Sequence, residues 1–355
     1  MKICFVINTL STGGAERVAA RLSSCWADNN DVTLVLTSFS KRQDYKISER
    51  INVINTCEKK RINRFSLIRK LRKIFKEIKP DVIVSFIDTG HFYVSLANRH
   101  LKFKHVCSER NDPYTIPKSK LQRLMRLFAF RRADAVVFQT EGAMQFFNKR
   151  IQKKGVIIEN PITNNFVPTD CSYRKNQIIA VGRLVEQKNY PLLIKAFSIF
   201  HKDYPQYSLL IFGRGEKEKE IMDLIRELGL EQFVFVKGFS SDISDELKKS
   251  KIFAMSSVHE GLPNSLIEAV CAGIPCVSTN ARPGGPMQIL KNYQGSMLIK
   301  DDSTESFSNG LSQIASNYDK FCNNAIVDSA EARKRFSIER ISDSWMKLFK
   351  ELSND

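Results

Sequence analysis

This sequence predicts an α/β fold class: two doubly wound parallel-sheet, Rossmann-like domains. Short uninterrupted Val/Ile/Phe runs recur along the chain, as parallel strands buried on both faces require. Segments with apolar residues at helical spacing fall between most of these runs. A polar stretch with two prolines and neither period divides the series near Asn160–Lys175. Strands alternating with helices in this way build a sheet covered by helices on both faces.

In order, the first half supplies the runs KICFVI, DVTLVLTS, DVIVSFI, KHVCSER, ADAVVFQT and GVIIEN. The second half resumes with NQIIAVG, YSLLIFG, QFVFVKG, KIFAMSSV, PCVSTN and SMLIK. Domains are therefore expected at 1–165 and 166–335. The last segment, SIERISDSWMKLFKELSND, places Ile338, Ile341, Trp345, Leu348 and Phe349 on one helical face. Residues 336–355 are expected as a helix that crosses back to the N-terminal domain, because they follow the final strand and must pack on something already built.

A chain of 355 residues is long enough for two cores. Its N-terminal apolar run breaks at Asn8 after about six residues, too short for a signal-peptide core. No later stretch reaches the roughly 18 apolar residues of a membrane span, so a cytoplasmic protein is expected. Eight cysteines show no CxxC and no paired Cys/His spacing, and neither a disulfide framework nor a zinc site is expected.

The net charge of +17 is confined to one half. Residues 1–165 hold 31 Lys+Arg against 14 Asp+Glu, whereas 166–355 hold 24 of each. Such asymmetry points to an anionic partner for the first half: a membrane surface, a phosphorylated substrate or a nucleic acid. No nucleic-acid module is recognisable, and the basic residues are not interleaved with aromatics in a stacking pattern, so no nucleic-acid partner is expected.

Four places carry chemistry. In NTLSTGGAER, Gly13 and Gly14 precede a helix, which makes either a tight turn or a backbone approach to an anion at the helix N-terminus. In NQIIAVGRLVEQKNYPLLIKAF, Arg183 and Lys188 lie just past the carboxyl end of a strand. Two cations there either neutralise a diphosphate or are solvated surface charges. In MSSVHEGLPNSLIEAVCAGIPCVSTN, Glu260 and Glu268 flank a helix start at Pro263, Asn264 and Ser265. They are hydrogen-bond acceptors for sugar hydroxyls, or they serve the helix dipole. In RINRFSLIRKLRKIFKEIKP, Ile62, Phe65, Ile68, Leu71, Ile74, Phe75 and Ile78 share a face, and Arg61, Arg69, Arg72 and Lys76 lie among the cations on the rest. KSKLQRLMRLFAFRRAD repeats that basic style. These helices suit a membrane surface or ordinary packing with a solvated basic face.

EGLPNSLIE resembles the E-x₇-E motif of retaining GT-B glycosyltransferases of the large fourth sequence family. VGRLVEQKN resembles that family's donor-phosphate motif, GGAER its first glycine loop, and FGRGEKEKEI, with Gly213 and Gly215, its nucleotide-side loop. ARPGGPMQIL resembles the stretch after the E-x₇-E helix. The match spans nearly the whole chain in order and is densest from 176 to 290.

The resemblance implies the GT-B arrangement, with two domains facing a cleft, the first binding acceptor and the second nucleotide sugar. It implies that Arg183 and Lys188 bind the diphosphate, supported by backbone around Asn264, Ser265 and Leu266. Glu268 then meets the ribose, Glu260 the transferred sugar, and Gly14 the donor from the first domain. No cofactor and no metal are implied, only a nucleotide-sugar donor, expected to be a UDP-sugar; the chain carries no DxD motif in a suitable loop. The expected acceptor is a lipid-linked saccharide on polyprenyl diphosphate, met by a protein peripheral on the inner face of a bacterial membrane. A soluble acceptor such as a sugar phosphate is the alternative. In CSERNDP, Arg110 stands where relatives often show His, and either binds an acceptor phosphate or pairs with Glu109. His91 is either a polar wall of the acceptor pocket or a satisfied surface histidine.

Overall fold

The structure, a computed structural model, describes residues 1–11, 13–40, 45–57, 63–86, 88–240 and 242–354, without the side chains of 88 and 89. Two compact units result: Met1–Pro161 with Ile338–Asp355, and Ile162–Ser337.

The first unit holds strands β1 (Lys2–Ile7), β2 (Asp31–Leu36), β3 (Asn52–Asn55), β4 (Val82–Phe86), β5 (Lys104–Ser108), β6 (Ala135–Phe138) and β7 (Gly155–Ile157). They pair in the order β3-β2-β1-β4-β5-β6-β7, parallel throughout. β4 and β6 are buried along their whole length, which is why their sequences run apolar without alternation. β3 is the exception: four mostly exposed residues at the sheet edge, NVIN, gave no apolar run to read. The helices are α1 (Gly14–Trp26), α2 (Arg64–Ile78), α3 (Asp88–Ala97), α4 (Lys120–Arg132), α5 (Glu141–Gln145) and α6 (Lys149–Gln152).

The second unit holds β8 (Lys175–Val181), β9 (Ser208–Phe212), β10 (Val234–Gly238), β11 (Ser250–Met255), β12 (Cys276–Thr279) and β13 (Ser296–Ile299). Their order, β10-β9-β8-β11-β12-β13, repeats the first six positions of the other sheet. Its helices are α7 (Tyr190–Asp203), α8 (Glu218–Glu227), α9 (Ile243–Lys249), α10 (Asn264–Cys271), α11 (Gly285–Leu290), α12 (Thr304–Ser316) and α13 (Tyr318–Arg335). Strand order reverses between β1 and β4, and again between β8 and β11. Loops at such switch points splay apart at the carboxyl edge and leave room for a ligand.

The last helix, α14 (Ile338–Asn354), belongs to the first unit and packs on α1. Trp345 and Phe349 set their rings 5.9 and 5.3 Å from that of Trp26, edge to face. Ile341, Leu348 and the same two aromatics are buried, so the amphipathic stripe is spent on this contact.

Three expectations are corrected. The polar segment after Asn160 is not all linker: Ile162 and Phe166 are buried in the second unit's core, and the Ile162 N–H donates to the Phe336 carbonyl at 2.9 Å. The division therefore falls after Pro161 rather than after 165. Cys171 and Cys322 form a disulfide, their Cα atoms 6.1 Å apart and their positions 151 residues apart, a separation no local motif reveals. Phe65, placed on the buried stripe of α2, is 78% exposed in the first turn; Leu67, Leu71, Ile74 and Phe75 are the buried set. Arg61 and Ile62 lie outside the described residues. Among the described residues no helix is long and apolar enough to cross a membrane.

Candidate active site

The switch point of the second unit gathers most of the expected residues. β8 ends at Val181, and the chain turns through Gly182 and Arg183 into a 3-10 turn at Glu186–Lys188. Leu184 is fully buried and anchors that loop, while the Tyr190 hydroxyl donates to the Gly182 carbonyl at 3.0 Å. Gly213 and Gly215 let the loop after β9 lie against it. A Cβ on Gly213 would stand 1.8 Å from the Gly182 carbonyl oxygen, and one on Gly215 2.2 Å from that of Leu184. Backbone cannot yield to such an overlap, so glycine is required at both positions.

Lys188 and Glu260 meet here. The Lys188 ammonium donates to Glu260 Oε1 at 2.6 Å, with both side chains largely buried. Ser257 Oγ donates to the same oxygen at 2.9 Å. Three further contacts join the two loops: Ser256 Oγ to the Lys188 carbonyl, Val258 N–H to the Gln187 carbonyl, and Gln187 Nε2 to the His259 carbonyl. The Glu260 N–H donates to the Arg282 carbonyl at 2.6 Å, which ties in the loop after β12. The reading of Lys188 as a solvated surface charge is thereby corrected. Arg183 is exposed, and among the described residues its guanidinium has no ion-pair partner.

α10 opens beside this pair. Pro263 takes the position before the helix rather than its first turn, and its carbonyl accepts from the Leu266 N–H at 3.2 Å. Glu268, in the second turn, is buried. Approach of the next loop is again by glycine: a Cβ on Gly285 would lie 2.0 Å from the Gly261 carbonyl oxygen. Ser257, Ser256, Gln187 and Tyr190 shape the site although their own residue types gave no signal in the sequence. Among the described residues no three His, Cys, Asp or Glu side chains gather as metal ligands.

In the first unit the glycine turn is closed by its own chain. The Tyr45 hydroxyl lies 3.3 Å from the Gly13 nitrogen and 3.0 Å from its carbonyl oxygen. Glu16 folds back so far that a Cβ on Gly13 would stand 2.0 Å from its carboxylate. An acid at this helix start is favoured by the dipole, and Gly14 begins α1 directly behind it.

His91 is neither a surface residue nor a pocket wall. It is 1% exposed, with its ring 5.5 Å from that of Phe130, and its Nδ1 shares the Ser85 hydroxyl at 2.7 Å with His105 Nε2 at 2.8 Å. Burial, with the charges of His105 and Arg126 adding to it, pushes His91 down to about 3. Burial lowers His105 to about 3 as well.

Arg110 does not pair with Glu109, whose carboxylate is held at 3.0 Å by the equally buried Arg126. The Arg110 guanidinium lies 4.4 Å from the Phe86 ring centre, and its Nη1 lies 3.5 Å from Ser108 Oγ. Its Nε and Nη2 are buried and have no hydrogen-bond partner among the described residues, and burial pushes its pKa down to about 9. It remains a cation at neutral pH. On α2, Arg69 and Lys76 are exposed and Arg72 is half-buried. Lys73 pairs with Glu77 at 3.8 Å, and Lys70 caps the Thr56 carbonyl.

Both units match known families. The model described as Glycosyl transferases group 1 matches residues 163–332, and that described as Glycosyltransferase Family 4 matches residues 12–165. The chain is 25% identical over 348 residues to an uncharacterized glycosyltransferase of Haemophilus influenzae, spanning 96% of this chain and 97% of that one. It is 26% identical over 364 residues to an α-1,4-N-acetyl-D-galactosaminyltransferase of Campylobacter jejuni, spanning 100% and 99%. That enzyme's name gives GalNAc-α-(1→4)-GalNAc-α-(1→3)-diNAcBac-PP-undecaprenol as the molecule it acts on. The crystal structure of Anabaena HepE in complex with UDP superposes with a TM-score of 0.84 at 20% identity, covering 99% of this chain and 100% of that one, a likeness of fold.

Two predictions follow from the buried cations and imidazoles of the first unit. Replacing Arg110 with Met removes a buried charge that no carboxylate among the described residues compensates, and keeps the packing on Phe86. Thermal or urea unfolding should show stability unchanged or raised by roughly 1–2 kcal/mol. A fall of that size would make Arg110 a structural residue. His91 and His105 stay neutral in the fold to about pH 3, whereas unfolded imidazoles take up protons near 6.5. Their stabilisation is complete above pH 6.5 and is lost as pH falls toward 3, by up to about 1.4 kcal/mol per pH unit for each ring. His91→Asn should remove about half of that slope in urea titrations between pH 7 and 5; an unchanged slope contradicts the assignment.

Proposed function

Since the chain belongs to the GT-B glycosyltransferases of the GT1/GT4 superfamily, we propose that it moves a hexose or N-acetylhexosamine, with retention, from a UDP-sugar to a saccharide on polyprenyl diphosphate. The reaction would serve bacterial O-antigen, capsule or glycan assembly. The observation that carries the donor half of this reading is the Lys188–Glu260 pair beside Arg183 at the switch point. Lys188 and Arg183 supply fixed positive charge, and the N-terminal end of α10 begins four residues after Glu260. Charge that develops on a departing nucleoside diphosphate is stabilised by groups already in place. They do the neutralising work that a divalent ion does in other transferases.

Glu260 has two tasks. Its Oε1 is held by Lys188 and Ser257, which fixes the carboxylate. Its Oε2 has no partner among the described residues and can accept from a hydroxyl of the transferred sugar. Glu268 accepts from the ribose, the part of the donor that does not change. As the family resemblance implies, the acceptor attacks on the face the nucleotide leaves, and a phosphate oxygen takes its proton.

The acceptor half rests on charge and on the Campylobacter jejuni relative. Arg69, Arg72 and Lys76 project from α2, whose apolar face is already packed, and among the described residues no carboxylate pairs with them. The diphosphate of a lipid-linked acceptor is attracted by such a surface. The chain would then work at the inner face of the bacterial membrane, without spanning it.

Incubation with UDP-hexoses or UDP-N-acetylhexosamines and a polyprenyl-diphosphate-linked saccharide should yield a product of retained anomeric configuration by NMR, with GDP- and ADP-sugars inactive. Reversing Arg69, Arg72 and Lys76 to Glu should cut that transfer at least about tenfold at low salt. Transfer to the same saccharide freed of its lipid diphosphate should not change. An equal loss on both acceptors, or none on either, contradicts the lipid-linked reading and favours a soluble acceptor.

A further inference from the structure

α4 exposes what α2 buries. Arg126, Ala129 and Phe130 turn α4 toward the core. On the other side Leu121, Leu124 and Phe128, at spacings of three and four, are 61%, 63% and 37% exposed. Residues at these spacings share one helix face. An unbroken apolar stripe on a soluble surface marks an interaction site, whereas scattered apolar residues mark nothing.

The surroundings of the stripe indicate what covers it. Lys118, Lys120, Arg131 and Arg132 are exposed at its two ends, and no acidic residue occurs from 118 to 132. The Arg132 guanidinium lies 5.6 Å from the Phe128 ring centre, so charge and apolar surface are continuous there. Phe92 of α3 extends the patch, its ring 5.4 Å from that of Phe128. Beyond α3, Arg99, His100 and Lys102 are exposed as well. Long cationic side chains around an apolar stripe match phospholipid, with acyl chains inside and phosphates at the level of the cations. A second copy of this chain would bring the same positive charge against itself.

We propose that α4 seats the protein in the interface of an anionic membrane, with Leu121, Leu124 and Phe128 inserted among the acyl chains. Lys118, Lys120, Arg131 and Arg132 lie on the phosphates. The proposal extends the lipid-linked reading by assigning the bilayer to α4 and leaving the cations of α2 for the acceptor. It is independent of which sugar is transferred.

The test is co-sedimentation of the full chain with phosphatidylglycerol vesicles and with phosphatidylcholine vesicles, both without acceptor lipid. Wild type should bind the first and bind the second weakly. Leu121→Ser, Leu124→Ser and Phe128→Ser together should lower binding to phosphatidylglycerol at least about tenfold, with the loss persisting at high salt. Lys120→Glu, Arg131→Glu and Arg132→Glu together should lower it only at low salt. Both variants should transfer sugar to the lipid-free saccharide as wild type does, which checks the fold. The Arg69, Arg72 and Lys76 reversal should keep most of its vesicle binding, so failure of the acceptor reading would be seen separately. Wild-type vesicle binding by the apolar variant overturns the proposal. So does a wild-type dimer that the apolar variant converts to monomer without change in vesicle binding, since a second copy would then be the occupant.

Discussion

Lys188 and Glu260 stand 72 positions apart, and their 2.6 Å contact ties the loop after β8 to the loop after β11. Both side chains are largely buried, so each has given up much of its hydration. Such a pair adds little net stability against apolar residues of the same size, but losing one partner strands the other. Its retention makes sense where the charges themselves are needed. The contacts around it serve to hold its geometry: Ser257 on the carboxylate, Ser256 and Gln187 on the neighbouring backbone, and the glycines at 213, 215 and 285 that let four loops crowd together.

The two units put one strand order to different electrostatic use. At the carboxyl edge of the first sheet the buried ion pair is Glu109 with Arg126, and it is internal: Arg126 also donates to the carbonyls of Ile116 and Pro113. The glycine turn there is filled by Tyr45 and Glu16 from its own chain. What the first unit offers outward is a layer of helices rich in cations, whereas the second, with acids and bases nearly balanced, confines its chemistry to one switch point. α14 returns to the first unit through Trp345 and Phe349, so the end of the chain stabilises the basic unit.

Much of the fold was legible because buried parallel strands write themselves as apolar runs. All twelve such runs fall on strands, and among the described residues β3 alone was missed, an edge strand whose residues are mostly exposed. The positions of Arg183, Lys188, Glu260 and Glu268 were legible because strand-loop-helix punctuation surrounds them. That Lys188 and Glu260 bond each other was not legible, since pairing across 72 positions depends on sheet order. The same limit hid the Cys171–Cys322 bond and the grip of Arg126 on Glu109. Burial of His91 could not be read either. It sits beside aromatic and polar neighbours in sequence, and only the packing of α3 on α4 encloses it. Ile162 and Phe166 were masked by the polar residues between them.

The central claim is that Lys188 and Glu260 act as one unit on the donor. A double-mutant cycle with Lys188→Met, Glu260→Gln and both together, read as kcat/KM for the nucleotide sugar, tests it most directly. Each single change should cost at least about 2 kcal/mol of transition-state stabilisation. The double variant should cost less than their sum by roughly 1–3 kcal/mol, because the second change removes a partner already disabled. Wild-type turnover in either single variant, or costs that simply add, would contradict the account.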